Sequence, residues 1–140
     1  KVQLVGFVTN DKWGFTIGYS PDGLVGDDGQ MEAKSRAQKY QIQTLCEYVP
    51  ENKIDPDFMI QAQTGLLVTE RKWCDLVSYS GGLVMATVRV EPIAEIQDAI
   101  IAAASAFEKR LVEKMEKYEA VLASKARLLP TKRKIREEMI

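Results

Sequence analysis

Residues 18–34 decide the fold of this chain, and they read Gly18-Tyr-Ser-Pro-Asp22-Gly-Leu-Val-Gly-Asp-Asp-Gly-Gln-Met-Glu32-Ala-Lys34. A short apolar stretch after Asp22 is followed by a turn at residues 26–29, whose two glycines can adopt positive φ. A returning strand then carries Glu32 and Lys34. The pattern predicts an antiparallel hairpin with an acid before its first strand and an acid-any-Lys motif on its second.

The acidic and basic side chains of this hairpin form a candidate metal site. Glu32 and Lys34 are two residues apart on a strand, so both side chains point to the same face. If the strands pair, the carboxylates of Asp22 and Glu32 meet the Lys34 ammonium in a small volume, and the carbonyl of Ala33 is a further oxygen ligand. Such a set suits a divalent cation that activates water against a phosphodiester, which is the chemistry of a nuclease.

Plainer interpretations of the same residues remain open on the sequence alone. An acid-any-Lys motif on an exposed strand is commonly a solvated ion pair. Asp22 follows Pro21 and is equally well explained as a turn residue. The spacing therefore favours a metal site without excluding an ordinary hairpin.

Composition narrows the chemistry further. The chain has 140 residues, 46% of them hydrophobic, which is enough for one domain with a core. It has no histidine, which excludes Ser-His and Cys-His catalysis and the classical zinc proteases. A metal would be held by oxygen ligands, which favours Mg²⁺ or Mn²⁺. We interpret Cys46 and Cys74 as reduced thiols, with Cys74 buried in a strand; the alternative is a redox pair. The sequence shows no secretory signal and no apolar run of membrane-spanning length.

Charge is distributed unevenly along the chain. The net charge is −1, which does not by itself indicate a nucleic-acid binder. Residues 1–106 contain nine Lys and Arg against fourteen Asp and Glu, whereas residues 107–140 contain ten against six. The positive charge is concentrated between Lys125 and Arg136.

The remaining strands are predicted from β-branched and apolar segments. They cover residues 2–9, 13–19, 73–79 and 83–90. The first two form a hairpin across the turn at residues 10–12, and the last two form a hairpin around Ser80-Gly81-Gly82.

Three helices complete the prediction. The first covers residues 36–48, and the second runs from Asp55-Pro56 to Val68, with Asp as the cap and Pro in the first turn. The third begins at Glu91-Pro92 and ends at Pro130, with apolar residues at three- and four-residue steps over roughly nine turns. The order of elements predicts a mixed α/β fold with a central mixed sheet flanked by helices.

Two glutamines stand out on the second helix. Gln61 and Gln63 lie about 200° apart on a helix, so they cannot share a face. Gln63 falls in the apolar stripe, while Gln61 lies beside Phe58 and Gly65, where the glycine permits close approach. Spacing alone favours ordinary surface or satisfied amides at both positions.

Taken together, these motifs resemble those of the YqaJ-type phage recombination exonucleases, typified by lambda exonuclease, within the PD-(D/E)xK nuclease superfamily. The resemblance rests on the Ser-Pro-Asp22-Gly-Leu segment, the Glu32-Ala-Lys34 motif, the glutamine helix from Phe58 and the segment 68–79 that follows. It covers roughly residues 5–122. It implies a restriction-endonuclease-like core with a central mixed sheet and a long C-terminal helix.

The resemblance implies an activity and its partners. Such enzymes digest one strand of double-stranded DNA from its ends, 5′ to 3′, with Mg²⁺ as cofactor and Mn²⁺ as its substitute. They leave a single-stranded tail for an annealing protein, and better-known members form a ring-shaped homotrimer. The expected location is the cytoplasm of a bacterial host or phage-infected cell. The alternatives are a restriction- or repair-type endonuclease of the same superfamily, and a DNA-binding assembly module without activity.

The resemblance also assigns roles to individual residues. Asp22 and Glu32 are implied metal ligands, and Ala33 supplies a carbonyl ligand. Lys34 is implied to position the nucleophilic water. Gln61 takes the place of the family's glutamine, which supports the catalytic lysine and the phosphate region.

The chain departs from the family at both ends. It begins at Lys1 without Met, and the family's N-terminal helical part is absent, so we expect a fragment or a trimmed product. We predict a nuclease core at residues 1–129 and a basic tail at 130–140. Six basic residues are candidates for contacts with DNA phosphates, the alternative being a solvated or disordered tail: Lys125, Arg127, Lys132, Arg133, Lys134 and Arg136.

Overall fold

The computed structural model describes residues 1–132 and contains seven strands in two sheets. The strands are β1 (Val2–Gln3), β2 (Val8–Asn10), β3 (Ile17–Tyr19), β4 (Gly23–Val25), β5 (Gly29–Ser35), β6 (Trp73–Tyr79) and β7 (Ala86–Val90). The main sheet has the order β1-β4-β5-β6-β7, and β2 pairs with β3 in a small second sheet. The β5–β6 pair is parallel while β4–β5 and β6–β7 are antiparallel, which confirms the predicted mixed sheet.

The hairpin at residues 18–34 forms as predicted, between β4 and β5. Gly23 pairs with Met31 and Val25 with Gly29. Gly26 has φ +56° in the tight turn. This left-handed conformation favours glycine, because glycine has no Cβ. The turn therefore fixes the register in which Glu32 and Lys34 enter the sheet.

The predicted single strand at residues 2–9 is wrong, because this segment divides between two sheets. Val2 pairs with Val25 on β4, whereas Val8 pairs with Tyr19 on β3. The chain crosses between the sheets around Gly6. The aromatic ring of Phe7 then packs over Gly18, where a Cβ would lie 2.1 Å from the ring.

The helices agree with the predictions except at their ends. They are α1 (Gln38–Gln43), α2 (Met59–Thr69) and α3 (Ala94–Leu122). A π-helical turn, Thr44–Tyr48, continues α1, and a 3₁₀ turn, Pro56–Phe58, precedes α2. The Asp55 side chain caps that turn by accepting a 3.1 Å hydrogen bond from Asp57 N, as the sequence predicts.

The third helix ends at Leu122 and not at Pro130 as predicted. The Ser124 backbone N–H donates to the Val121 carbonyl at 3.1 Å, and the Ser124 hydroxyl donates to the same carbonyl at 2.7 Å. A serine side chain that satisfies a carbonyl in this way competes with the next helical hydrogen bond. Local chemistry at Ser124 therefore stops the helix before proline does.

The core lies between α2 and one face of the main sheet. Its buried residues are Ile54, Ala62, Leu66, Cys74, Leu76, Val88 and Val90. Alternation along β6 and β7 turns one side of each strand toward α2. Burial of a side chain such as Leu66 stabilises the fold by about 2 kcal/mol, so this layer holds α2 firmly against the strands beside β5.

The chain divides into two compact units, Lys1–Ala106 and residues 107–140. In the second unit, as far as residue 132, the apolar side chains of α3 are exposed: Phe107, Leu111, Val112, Met115, Tyr118, Val121 and Leu122. Across residues 1–132, no helix is long and apolar enough to cross a membrane.

Candidate active site

The acidic and basic residues of the hairpin meet Gln61 of α2 and Tyr19 of β3 in one cluster. Glu32 and Lys34 are both on β5, and Asp22 immediately precedes β4. The antiparallel register that pairs Gly23 with Met31 brings Asp22 beside Glu32. One hairpin and one helix thus assemble the candidate catalytic cluster, as we call Asp22, Glu32, Lys34 and Gln61.

Glu32 is the buried centre of the candidate catalytic cluster, with 1% of its surface exposed. Lys34 Nζ and Gln61 Nε2 each donate a 2.8 Å hydrogen bond to its Oε2 atom. The Tyr19 hydroxyl donates to its Oε1 atom. Because an unpaired buried carboxylate costs several kcal/mol, these three donors are what allow Glu32 to occupy this position.

Lys34 is held from two sides. Its Nζ donates at 2.8 Å to Glu32 Oε2 and at 2.8 Å to Gln61 Oε1, and it lies 5.2 Å from the centre of the Phe58 ring. An ammonium group has three donor hydrogens. One remains for a ligand after these two contacts, and the side chain is 16% exposed.

Asp22 is exposed but anchored. Its Oδ2 atom accepts a 2.8 Å hydrogen bond from the backbone N–H of Ala33. This contact fixes the carboxylate against the strand that carries Glu32. The exposed side chain consequently presents its carboxylate to solvent at the position next to the buried acid.

These residues fit a hard divalent cation. The ligands on offer are the carboxylates of Asp22 and Glu32 and the carbonyl of Ala33, all oxygens, as Mg²⁺ and Mn²⁺ prefer. Within residues 1–132 there is no group of three or more His, Cys, Asp and Glu side chains suited to a metal. Mg²⁺ commonly takes only one or two carboxylates and completes its shell with water and phosphate, so two carboxylates and a carbonyl are sufficient.

The two glutamines of α2 have different surroundings. The Gln61 amide bridges Lys34 and Glu32, although spacing alone favours an ordinary surface amide there. Gln63 is fully buried; its Nε2 donates to the Glu91 carbonyl and its Oε1 accepts from Ile93 N, both at 2.8 Å. Gln63 therefore connects α2 to the segment before α3 and lies outside the candidate catalytic cluster.

Sequence reasoning missed Tyr19. It is 6% exposed, and burial first, then its hydrogen bond to Glu32, raises the pKa of its hydroxyl above the ordinary value. Its ring packs against α2 at Gly65, where a Cβ would lie 2.4 Å from Tyr19 Cζ. The signal in the sequence was Gly65. A glycine on a helix permits another side chain to approach closely, but it does not show that this side chain is Tyr19.

The six basic residues predicted to contact DNA phosphates are only partly described. Lys125, Arg127 and Lys132 are exposed and follow α3. The other three candidates, Arg133, Lys134 and Arg136, lie outside the described residues.

Two comparisons of sequence find no match, and a comparison of structures finds several. No protein-family model and no curated protein matches the chain. The crystal structure of the alkaline exonuclease LHK-Exo from Laribacter hongkongensis superposes with a TM-score of 0.70 at 32% identity, over 88% of this chain. The structure of LHK-Exo in complex with dAMP gives a TM-score of 0.70 at 30% identity, again over 88% of this chain. The chain spans 64% of the length of either structure.

Proposed function

We propose that the chain is the nuclease core of an exonuclease that hydrolyses phosphodiester bonds at the ends of double-stranded DNA. The observation that carries this proposal is the position of Lys34 on β5, the strand beside Asp22. Its ammonium nitrogen is 2.8 Å from Glu32 Oε2 and 2.8 Å from Gln61 Oε1. The likeness to an alkaline exonuclease supports the same reaction. The complex of that exonuclease with dAMP supports a nucleotide as the product.

Each residue of the candidate catalytic cluster has a proposed role. Asp22, Glu32 and the Ala33 carbonyl would hold Mg²⁺ or Mn²⁺, which supplies a Lewis acid and lowers the pKa of water. The third donor hydrogen of Lys34 would bind the attacking water or a phosphate oxygen. Gln61 accepts a hydrogen bond from the Lys34 ammonium and so holds it in place.

The finer features of the proposal concern direction and partners. We propose digestion of one strand from 5′ to 3′, leaving a single-stranded tail for an annealing protein, by a homotrimer that encloses DNA. Lys125, Arg127, Lys132, Arg133, Lys134 and Arg136 are proposed to contact DNA phosphates. Their positive charge contrasts with the acidic balance of residues 1–106 and supports this role.

A comparison of linear with closed-circular duplex DNA tests the activity. We expect Mg²⁺-dependent release of mononucleotides from linear duplex by the full-length natural protein, and no cleavage of closed circles. Substrates labelled at the 5′ or the 3′ end report the direction. Cutting of closed circles would identify an endonuclease, and binding without cleavage would identify an assembly module; either result overturns the proposal.

Substitution of Lys34 by alanine tests the chemistry. We expect a loss of cleavage of at least 100-fold, within the range for a group that assists proton transfer or charge relief, while duplex binding persists. The matched control is Lys72→Ala, since Lys72 is an exposed lysine whose ammonium, among the residues that the structure describes, pairs only with Asp28. Normal turnover by Lys34→Ala would exclude the proposed role.

Replacement of Lys125, Arg127 and Lys132 by glutamine tests the basic segment. Removing three phosphate contacts lowers the dependence of duplex affinity on salt, by roughly 0.9 in the log-log slope per contact. We expect weaker binding and a shallower salt slope, measured by fluorescence anisotropy between low and moderate salt. An unchanged slope would show that these residues do not contact DNA.

A further inference from the structure

The hydrogen bonds to Glu32 leave one direction open for a cation. An ionised carboxylate offers about four lone-pair positions, two on each oxygen. Lys34 and Gln61 occupy both positions on Oε2, and the Tyr19 hydroxyl occupies one on Oε1. The remaining position is on Oε1, beside the hydroxyl of Tyr19.

We propose that Tyr19 is a positioning residue for the metal site, which fixes the Glu32 carboxylate so that it binds a divalent cation through Oε1 alone. This inference rests on the proposed function, because it concerns the same site. Without the hydroxyl, Oε1 would have no protein donor among residues 1–132, and the carboxylate would be held only through Oε2. Oε1 could then change position while Oε2 keeps its hydrogen bonds to Lys34 and Gln61.

Tyr19 is suited to this task because its own position is fixed. It lies on β3, where its backbone pairs with Val8, and its side chain is buried. Its ring contacts Gly65 closely on α2, so both β3 and α2 restrict the position of the ring. The Tyr19 hydroxyl comes from the second sheet, so it orients the Glu32 carboxylate independently of the two other donors, Lys34 and Gln61.

Partners of metal ligands have measurable effects on affinity. Removing a group that orients a ligand typically lowers metal affinity 10- to 100-fold. Tyr19→Phe removes only the hydroxyl and keeps the ring in contact with Gly65. We therefore expect Mg²⁺ affinity, measured by titration calorimetry without DNA, to fall about tenfold in Tyr19→Phe.

Tyr79→Phe is the matched control, because Tyr79 lies on β6 with 44% of its surface exposed. It should bind Mg²⁺ like the wild type. The increase in melting temperature caused by Mg²⁺ gives a second reading, which is compared with each variant's own metal-free value. A purely structural role for Tyr19 would lower the metal-free melting temperature and leave Mg²⁺ affinity unchanged, and that result overturns the inference.

The outcomes separate this inference from the proposed function. If the wild type binds Mg²⁺ and Tyr19→Phe binds it more weakly, the inference stands even when no DNA is cleaved, in which case the proposed function fails. If the wild type cleaves DNA and both proteins bind Mg²⁺ equally, the inference fails and the function stands. A wild type that binds no Mg²⁺ overturns both.

A measurement on the wild-type sequence applies if Tyr19→Phe does not fold. The protein is labelled with 3-fluorotyrosine, and the ¹⁹F signal of Tyr19 is assigned by eliminating the other tyrosines with phenylalanine variants. Addition of Mg²⁺ should shift this signal more than that of Tyr79, because the cation would bind the oxygen that accepts from the Tyr19 hydroxyl. Equal or absent shifts would overturn the inference.

Discussion

The side-chain oxygen of Gln61 accepts a 2.8 Å hydrogen bond from the ammonium of Lys34. The other end of the same amide donates to Glu32 at 2.8 Å, so one exposed helical residue connects both charged groups of the buried pair. The amide can satisfy an ammonium and a carboxylate at once because it has an acceptor and two donors. Through Gln61, α2 consequently helps to fix the positions of the Glu32 and Lys34 side chains on β5.

Substitution Gln61→Ala tests this relationship. We expect a loss of 10- to 100-fold in the rate of cleavage, since each hydrogen bond to a charged group contributes about 1.5–3 kcal/mol. The free energy of unfolding should also fall by about 1–3 kcal/mol, because Gln61→Ala removes one of the three donors to the buried Glu32 carboxylate. Single-turnover cleavage and thermal unfolding measure the two effects. Gln43→Ala is the control, because Gln43 is at the end of α1 and donates to Glu47 in the helical turn that continues it. An equal loss there would contradict the assignment.

Asp22→Asn separates metal binding from the structure of the hairpin. Asparagine keeps an oxygen that accepts from Ala33 N, so the hairpin should fold as before. The loss of one negative charge should weaken Mg²⁺ binding at least tenfold, because an ionised carboxylate is a much better ligand for a hard cation than an amide. Titration calorimetry measures the change, with Asp27→Asn in the turn as control. Unchanged affinity would count against Asp22 as a ligand.

Residues whose partners are close in sequence could be predicted with their geometry. Glu32 and Lys34 share a face because they alternate along β5, and the turn at residues 26–29 sets their register. The cap at Asp55 was equally predictable, since Asp before Pro satisfies the first free N–H groups of the turn. In these cases the relevant physics acts within a few residues.

Partners that are distant in sequence could not be predicted in the same way. Tyr19 comes from a separate small sheet, and Gln61 reaches Glu32 from 29 residues away. Periodicity placed Gln61 beside Gly65 but did not show which strand faces them. The division of residues 2–9 between two sheets was missed for the same reason, because a β-branched run does not specify its pairing partners.

The ion pair between Arg36 and Asp55 is predicted to stabilise the first unit. The two side chains are 2.9 Å apart and only 11% and 12% exposed, and the guanidinium also lies over Phe58 at 4.9 Å. Asp55→Asn retains the oxygen that caps the helical turn, but it leaves the arginine without its counter-charge. We expect a loss of about 3 kcal/mol in the free energy of unfolding.

Urea denaturation measures this loss. Asp57→Asn is the matched control, because Asp57 is an exposed neighbour that contributes its backbone N–H to the cap. It should change stability by less than about 0.5 kcal/mol. If Asp55→Asn were as stable as this control, the pair would contribute nothing to the fold.

The buried thiol of Cys74 predicts a loss of stability at alkaline pH. Burial raises its pKa from 9.0 to about 11, so the folded state keeps the thiol protonated where the unfolded state ionises. The stabilisation is complete below pH 9 and is lost as the pH rises from 9 to about 11, because unfolding then releases a proton. Two pH units correspond to about 3 kcal/mol at most.

Urea denaturation at pH 8 and pH 10.5 tests this dependence. Tyr19 also has a raised pKa and contributes a similar decline at high pH, so the informative quantity is the difference between wild type and Cys74→Ala. That difference should shrink between the two pH values, because the variant lacks the ionising thiol while the cavity it creates is independent of pH. Cys46 is exposed, and Cys46→Ala should follow the wild-type curve at both pH values. A constant difference between wild type and Cys74→Ala would show that the thiol does not ionise on unfolding in this range.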